Sequence, residues 1–166
     1  MPTRTHIAVI GVGNEFRRDD GVGWAVVDRL RERAAERPLP KGSVLATCDG
    51  DPARLIGLWE GADLAVVVDA AHAHPAQPGR VHRLALDAAG PHRPPTTSSH
   101  GLGLGEAVEL ARVLGRLPGR LVVYAVEGAD SSLGRGLSAR VAAVLEPLVE
   151  SVEDEIVRYR DAAARG

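Results

Sequence analysis

The feature that most constrains the fold is a regular alternation of short apolar runs with longer amphipathic stretches. Four of the runs are rich in β-branched residues and almost wholly apolar, as strands buried on both faces of a parallel sheet are. They are residues 7–10, 44–46, 64–68 and 121–124. Strands that alternate with helices build a mostly parallel, twisted sheet covered on both sides. The sequence therefore predicts a three-layer α/β fold.

Helical periodicity fills most of the intervals between these strands. We predict helices over residues 20–35, 52–59 and 102–114, and a long final helix from Ser138 that Pro147 bends or divides. Apolar and polar side chains alternate only weakly over residues 80–86, which indicates an edge strand. The segment that follows, up to His100, is rich in Pro, Thr and Ser and has no apolar period. Loops of this length in compact domains are often functional.

Composition limits the class of protein. The 166 residues fit one domain, 1–166, and the formal net charge of -2 argues against binding to nucleic acid or to an anionic membrane surface. Neither a signal peptide nor an apolar stretch of roughly 20 residues is present, so we expect a cytoplasmic protein. Cys48 is the only cysteine, which excludes an internal disulfide, and its apolar surroundings predict a small buried side chain.

Three polar residues follow predicted strands, where ligands bind in sheets of this kind. Asp20 closes the loop after the first strand, Asp69 ends the third, and His100 ends the long loop. Two carboxylates and one imidazole suit a borderline divalent ion such as nickel or zinc. Three protein ligands would also leave coordination positions open. We expect the three side chains to converge in one cleft.

Each of these residues also has a purely structural interpretation. Asp20 lies where Asp commonly caps a helix, and Asp69 lies where Asp commonly forms a turn. His100 could be a solvated loop histidine. His72 and His74, just after Asp69, could form a zinc site or could equally be solvated. Because we place Asp69 and His100 in surface loops, Asp69→Asn and His100→Ala are expected to change stability by no more than about 1 kcal/mol.

Motifs for other chemistries are weak or absent. Gly11 and Gly13 after the first strand are similar to a dinucleotide-binding loop, but Phe16 occupies the place of the third glycine. The chain contains no GxSxG, HExxH, Walker or CxxC motif. A non-catalytic nucleotide-binding module is therefore disfavoured but remains an alternative.

Four segments, in order and spread over nearly the whole chain, together resemble the hydrogenase maturation proteases. Residues 10–23 (IGVGNEFRRDDGVG) resemble the family's glycine–asparagine turn, acidic pair and helix start, with Asp20 in the second acidic place. Residues 66–70 (VVVDA) resemble its strand ending in a metal-binding Asp, here Asp69. Residues 99–104 (SHGLGL) resemble its histidine segment, and residues 127–138 resemble its Glu-containing, Gly-rich turn before the last helix.

The resemblance implies both a fold and an activity. It implies a phosphorylase/hydrolase-like α/β fold and a peptidase that removes the C-terminal extension of a nickel–iron hydrogenase large-subunit precursor after nickel insertion. Asp20, Asp69 and His100 would bind the nickel carried by the precursor, and no tightly bound metal of the protein's own is expected. Asp20 or Asp69 would serve as catalytic general base, as in an aspartyl protease. The resemblance further implies that the precursor is the partner, and we expect a monomer.

Two details bear on this resemblance. The family commonly has Asp-Gly-Gly after the second strand, whereas this chain has Asp49, Gly50 and then Asp51. A peptidyl-tRNA hydrolase also begins with a strand and a glycine–asparagine turn, and it remains an alternative. It would require an Asn-Pro-Gly continuation and a basic face, but Asn14 is followed by Glu15 and the net charge is negative.

Overall fold

The computed structural model describes residues 5–87 and 102–165, and within them a five-stranded sheet has the order β2-β1-β3-β5-β4. The strands are β1 (Ile7–Val12), β2 (Ser43–Cys48), β3 (Leu64–Ala71), β4 (Val81–Asp87) and β5 (Arg120–Glu127). The first three and β5 run parallel, and β4 pairs antiparallel with β5 at one edge. The predicted parallel-dominated sheet and its edge strand are confirmed.

The helices agree with the sequence periodicity except near their ends. They are α1 (Val22–Ala34), α2 (Pro52–Trp59), α3 (Leu102–Leu114), α4 (Ala139–Ala143) and α5 (Leu145–Arg165). A short 3-10 turn, Arg18–Gly21, precedes α1, so the prediction that a helix begins at Asp20 was two residues early. The predicted break near Pro147 falls at Val144. Pro147 lies in the first turn of α5, where its missing N–H costs no helical hydrogen bond.

Alternate residues of each central strand belong to two separate hydrophobic clusters. On one face of the sheet, Ile7 and Val9 pack with the apolar stripes of α1 and α5. On the other face, Ala8 and Ile10 pack with α2 and α3. Side chains on neighbouring strand positions point to opposite faces, so both faces must be covered. The three-layer arrangement is confirmed.

Two further observations concern the sequence predictions. Cys48 is a free thiol buried in the cluster beneath α2 and α3, as predicted. Among the described residues, no helix is long and apolar enough to cross a membrane.

Candidate active site

The carboxyl ends of β1, β3 and β5 meet at one edge of the sheet, and the loop that carries Asp20 lies there. Asp69 is not at the end of its strand as predicted: β3 continues to Ala71, and Asp69 pairs with Ala125 of β5 inside the sheet. The turn-forming interpretation of Asp69 is therefore wrong. The residue is part of the ladder, two positions from its end.

Two glycines bring the start of α1 directly against the strands. A Cβ on Gly11 would lie 2.6 Å from the carbonyl carbon of Gly23, and a Cβ on Gly23 would lie 2.8 Å from the backbone nitrogen of Val12 and against the carbonyl oxygen of Val68. Only hydrogen in place of a side chain permits this approach of backbone to backbone. This close approach places the turn that carries Asp20 beside the carboxyl-terminal part of β3, where Asp69 follows Val68.

Asp20 holds the loop after β1 and does not cap α1. Its carboxylate accepts a hydrogen bond from the backbone N–H of Asn14 at 3.0 Å, and its carbonyl oxygen accepts another from the same N–H at 3.2 Å. The position before α1 is Gly21, and no side chain caps the helix there. The capping interpretation of Asp20 is wrong. Gly13, with φ of 134°, lets the loop close, because a Cβ there would collide with the Asp20 carbonyl.

Asp69 is a buried carboxyl group with one hydrogen-bonding partner among the described residues. It is 7% exposed, and Oδ1 accepts a hydrogen bond from the N–H of Ala70 at 2.8 Å. Burial raises the pKa of Asp69 to about 7; the Ala70 hydrogen bond opposes the rise, and the nearby charge of Asp20 adds to it. The expectation that Asp69→Asn is a mild surface change was wrong, because the residue is buried.

Two of the three predicted ligands, Asp20 and Asp69, lie near the carboxyl edge of the sheet. His100 lies outside the described residues, two positions before Leu102, where α3 begins. Within the described ranges, no group of three or more His, Cys, Asp or Glu side chains forms a potential metal site. His72 and His74 are both exposed, which favours solvated side chains over a zinc site.

A residue that the sequence reasoning did not single out is Asp19. It is 2% exposed and accepts hydrogen bonds from the N–H groups of Ala129 (2.8 Å), Asp130 (3.0 Å) and Ser138 (2.7 Å) and from the Ser138 hydroxyl (2.7 Å). Burial alone would raise the pKa of Asp19, but these bonds, with Ser138 foremost, hold it below the ordinary value. Asp19 therefore fastens the first loop to the Gly-rich turn. The only sequence feature that could have drawn attention to Asp19 is its place in the acidic pair with Asp20.

Glu127, at the end of β5, similarly fastens the loop between β3 and β4. Its buried carboxylate accepts a hydrogen bond from the N–H of Gln77 at 3.0 Å and lies 2.7 Å from Nε2 of His82. The hydrogen bond from Gln77 contributes most to lowering the pKa of Glu127, and the hydrogen bond with His82 contributes next. The acid of the Gly-rich turn thus ties the loop between β3 and β4 to the edge of the sheet.

The departure at Asp51 also has a structural explanation. Its carboxylate accepts a hydrogen bond from the N–H of Arg54 at 3.0 Å and so caps α2, which begins at Pro52. Gly50 before it has φ of 99°, a conformation that glycine adopts readily. In this chain the turn after β2 therefore leads into a capped helix.

Comparison with known proteins agrees with this architecture. A family model described as hydrogenase maturation protease matches residues 25–155. The hydrogenase 2 maturation protease of Escherichia coli (strain K12) is 28% identical over 148 residues, which are 88% of this chain and 87% of that protein.

Solved structures show the same similarity. The structure of hydrogenase maturating endopeptidase HybD from E. coli has a TM-score of 0.71 and 25% identity, and the match covers 95% of this chain and 94% of that one. An E. coli endopeptidase solved in solution gives a TM-score of 0.73 and 26% identity, over 89% and 90% of the two chains. A maturation protease HybD from Thermococcus kodakarensis, 20% identical with a TM-score of 0.69, shares the fold over 92% of this chain and 99% of its own.

Proposed function

The chain belongs to the hydrogenase maturation protease family and is a peptidase, and on that premise we propose that it removes the C-terminal extension of a nickel–iron hydrogenase large-subunit precursor. Cleavage follows nickel insertion, and the nickel is part of the substrate. Neither the peptidyl-tRNA hydrolase nor the nucleotide-binding module is retained as an alternative. The cytoplasmic location and the monomeric state stay predictions.

The observation that carries this proposal is the buried carboxyl group of Asp69 near the carboxyl edge of the sheet, where the loop that carries Asp20 also lies. A carboxyl group with a pKa of about 7 can hold or release a proton near neutral pH, which a general acid or base must do. Two carboxylates are also suitable oxygen ligands for a divalent ion. Asp69 lies on the strand face that α2 and α3 cover, because it alternates with Val68 and matches Val67.

In the proposed mechanism, the chain supplies Asp20, Asp69 and His100 as ligands for the nickel held by the precursor. Their three positions leave room for the precursor's own ligands. Binding then depends on metal occupancy as well as on peptide sequence, so a precursor without nickel is not cut. Asp20 or Asp69 accepts the proton of the attacking water, in the manner of an aspartyl protease.

The loops are held in ways that suit this chemistry. Asp19 fixes the loop of Asp20 to the Gly-rich turn, and Glu127 fixes the loop after β3. A site whose ligands are already positioned by such bonds loses little entropy when it binds substrate. We therefore expect the loop that carries Asp20 and the loop that follows β3 to keep their positions when substrate binds.

The test is an electrophoretic assay of precursor cleavage with nickel present or withheld. Asp69→Asn removes the charge that a cation needs, and His100→Ala removes the only predicted nitrogen ligand. Both should abolish cleavage of the nickel-loaded precursor, and the unmutated protein should leave nickel-free precursor uncut.

Matched controls are available at the opposite edge of the sheet and on α5. His6 is exposed just before β1, and Asp154 is exposed on α5. His6→Ala and Asp154→Asn should cleave at the rate of the unmutated protein. Normal cleavage by folded Asp69→Asn and His100→Ala would show that neither residue takes part, and the proposed role of the metal would be wrong.

A further inference from the structure

A hydrogen-bonded histidine and glutamate lie on the same face of the sheet as Asp69. Asp69 of β3 pairs with Ala125 of β5, and Ala125 pairs with His82 of β4, so the three residues form one row across the sheet. Side chains that are paired in register point to the same face, and Glu127 shares that face because it lies two positions after Ala125. His82 and Glu127 therefore belong to the surface on which the candidate site lies.

The ring of His82 is held toward the carboxyl edge of the sheet. Its Nε2 lies 2.7 Å from Oε2 of Glu127, the last residue of β5, and Glu127 is paired with Ala71, the last residue of β3. Glu127 is 4% exposed, whereas the side chain of His82 is 41% exposed. The carboxylate is therefore part of the buried structure, and the imidazole that it binds lies at the surface.

The hydrogen bond between these side chains determines which ring nitrogen of His82 carries the proton. Hydrogen bonds from Gln77 and His82 lower the pKa of Glu127, so its carboxylate is ionised at neutral pH and can only accept hydrogen bonds. Nε2 must then be the donor, and in the uncharged imidazole Nδ1 keeps its lone pair. Within residues 5–87 and 102–165, Nδ1 has no hydrogen-bonding partner. His82 thus provides an oriented acceptor at the surface.

The separation of His82 from Asp69 decides what this acceptor can contact. Neighbouring strands are about 4.8 Å apart, so the backbones of His82 and Asp69, which are two strands apart, are separated by roughly 10 Å. Groups that act on one peptide bond must lie within about 3 Å of it, so His82, whose ring is held at Glu127, does not share the scissile bond with Asp69. An extended peptide advances about 3.3 Å per residue, which places His82 beside a residue about three positions from that bond.

We propose that His82 is a further substrate-binding residue, whose Nδ1 accepts a hydrogen bond from a backbone N–H of the precursor's C-terminal segment, and that Glu127 is its positioning residue. The contact holds the segment in line with Asp69. Nε of Arg80, 4.0 Å from Oε2 of Glu127, offsets the charge of that carboxylate, so the pair suits an uncharged N–H better than a charged group. The proposal rests on the proposed function, which supplies the peptide substrate.

Two substitutions separate this contact from the structural bond between His82 and Glu127. In His82→Gln the side-chain amide can still donate to Glu127 from the place of Nε2, but the acceptor at Nδ1 is lost. In Glu127→Gln the amide donates to Nε2, so the ring proton moves to Nδ1 and the acceptor becomes a donor. The matched controls are His6→Gln, at the other end of β1, and Glu150→Gln, at an exposed position on α5, which covers the opposite face.

The measurements are steady-state cleavage of the nickel-loaded precursor, its Kd, urea denaturation and the NMR shifts of the His82 ring nitrogens. Both variants should raise KM and Kd about three- to tenfold, the effect of one lost uncharged hydrogen bond, with kcat nearly unchanged. The controls should change neither constant, and His82→Gln should unfold like the unmutated protein.

Unchanged KM and Kd in folded His82→Gln would overturn the proposal, because the bond to Glu127 would then be purely structural. A ring proton on Nδ1 in the unmutated protein would overturn it as well. If the unmutated protein binds the precursor without cutting it, the proposed function fails, and Kd alone decides whether His82 contacts the segment. A protein that neither binds nor cuts the precursor would contradict both.

Discussion

The carboxylate of Asp19 accepts two hydrogen bonds from Ser138, one from the backbone N–H and one from the hydroxyl, each at 2.7 Å. The two residues are 119 positions apart, so this contact joins the first loop of the chain to the start of its last helical segment. Both segments border the candidate site. The geometry of the site therefore depends on a bond between the two ends of the fold.

Removing this anchor should destabilise the protein. Asp19→Ala leaves the N–H groups of Ala129, Asp130 and Ser138 without their acceptor, and we expect a loss of about 2–4 kcal/mol in the free energy of unfolding. Ser138→Ala removes only the hydroxyl bond and should cost about 1 kcal/mol. Urea denaturation measures both, with Asp154→Ala as control. A loss under 0.5 kcal/mol for Asp19→Ala would contradict the anchoring role.

The same residue predicts acid sensitivity. The folded-state pKa of Asp19 is below its ordinary value of 3.8, so its stabilising effect is complete above that value and is lost as the pH falls through the lower, folded pKa. Asp19→Ala should therefore destabilise most at pH 6 and progressively less as the pH falls below about 3.8. Denaturation of the two proteins across this range is the measurement; a constant difference would be inconsistent with the assigned pKa.

Asp69 predicts the opposite dependence on pH. Its folded-state pKa is about 7 and its ordinary value is 3.8, so between these values the unfolded chain releases a proton that the folded protein keeps. Ionisation of Asp69 therefore lowers stability progressively from about pH 4 to 7. Asp69→Asn should raise the free energy of unfolding at pH 8 by about 1–4 kcal/mol and by much less at pH 4, while abolishing cleavage. A destabilised variant at pH 8 would contradict the assigned burial cost.

The close approach of α1 to the strands can be tested with two helical glycines. Gly23→Ala places a Cβ against the backbone of Val68 and Val12 and should destabilise by more than about 2 kcal/mol and impair cleavage. Gly57, in α2, has nothing within 4 Å of an added Cβ. Gly57→Ala should therefore stabilise by about 0.5–1 kcal/mol. Thermal denaturation distinguishes the two, and equal effects would contradict the packing described.

The capping role of Asp51 is a separate prediction. Asp51→Ala should cost about 1 kcal/mol, because the N–H of Arg54 loses its acceptor, and Asp51→Asn should retain most of the stability. Both are measured by urea denaturation. If the alanine and asparagine variants were equally destabilised, the effect would come from charge and not from the cap.

Much of the fold could be predicted from local sequence. The apolar runs of β1 and β3 and the stripe of Val22, Val26 and Leu30 repeat with the periods of strand and helix, and those periods largely determine which face is buried. The predictions that were wrong concern the ends of strands and helices. The strand β3 runs past Asp69 because pairing with β5 continues to Ala71, and that partner lies more than fifty residues along the chain.

The sequence by itself determined the order of strands and helices, the edge position of β4 and the choice of Asp20 and Asp69 as residues of interest. Only the tertiary structure decided that Asp19 binds the Gly-rich turn while its neighbour Asp20 binds the backbone of Asn14, and that Asp69 has a pKa of about 7. The physical reason is that secondary structure follows from periods of two and about 3.6 residues. Desolvation and hydrogen bonding instead depend on groups such as Ser138, which reach an aspartate only when distant segments pack together.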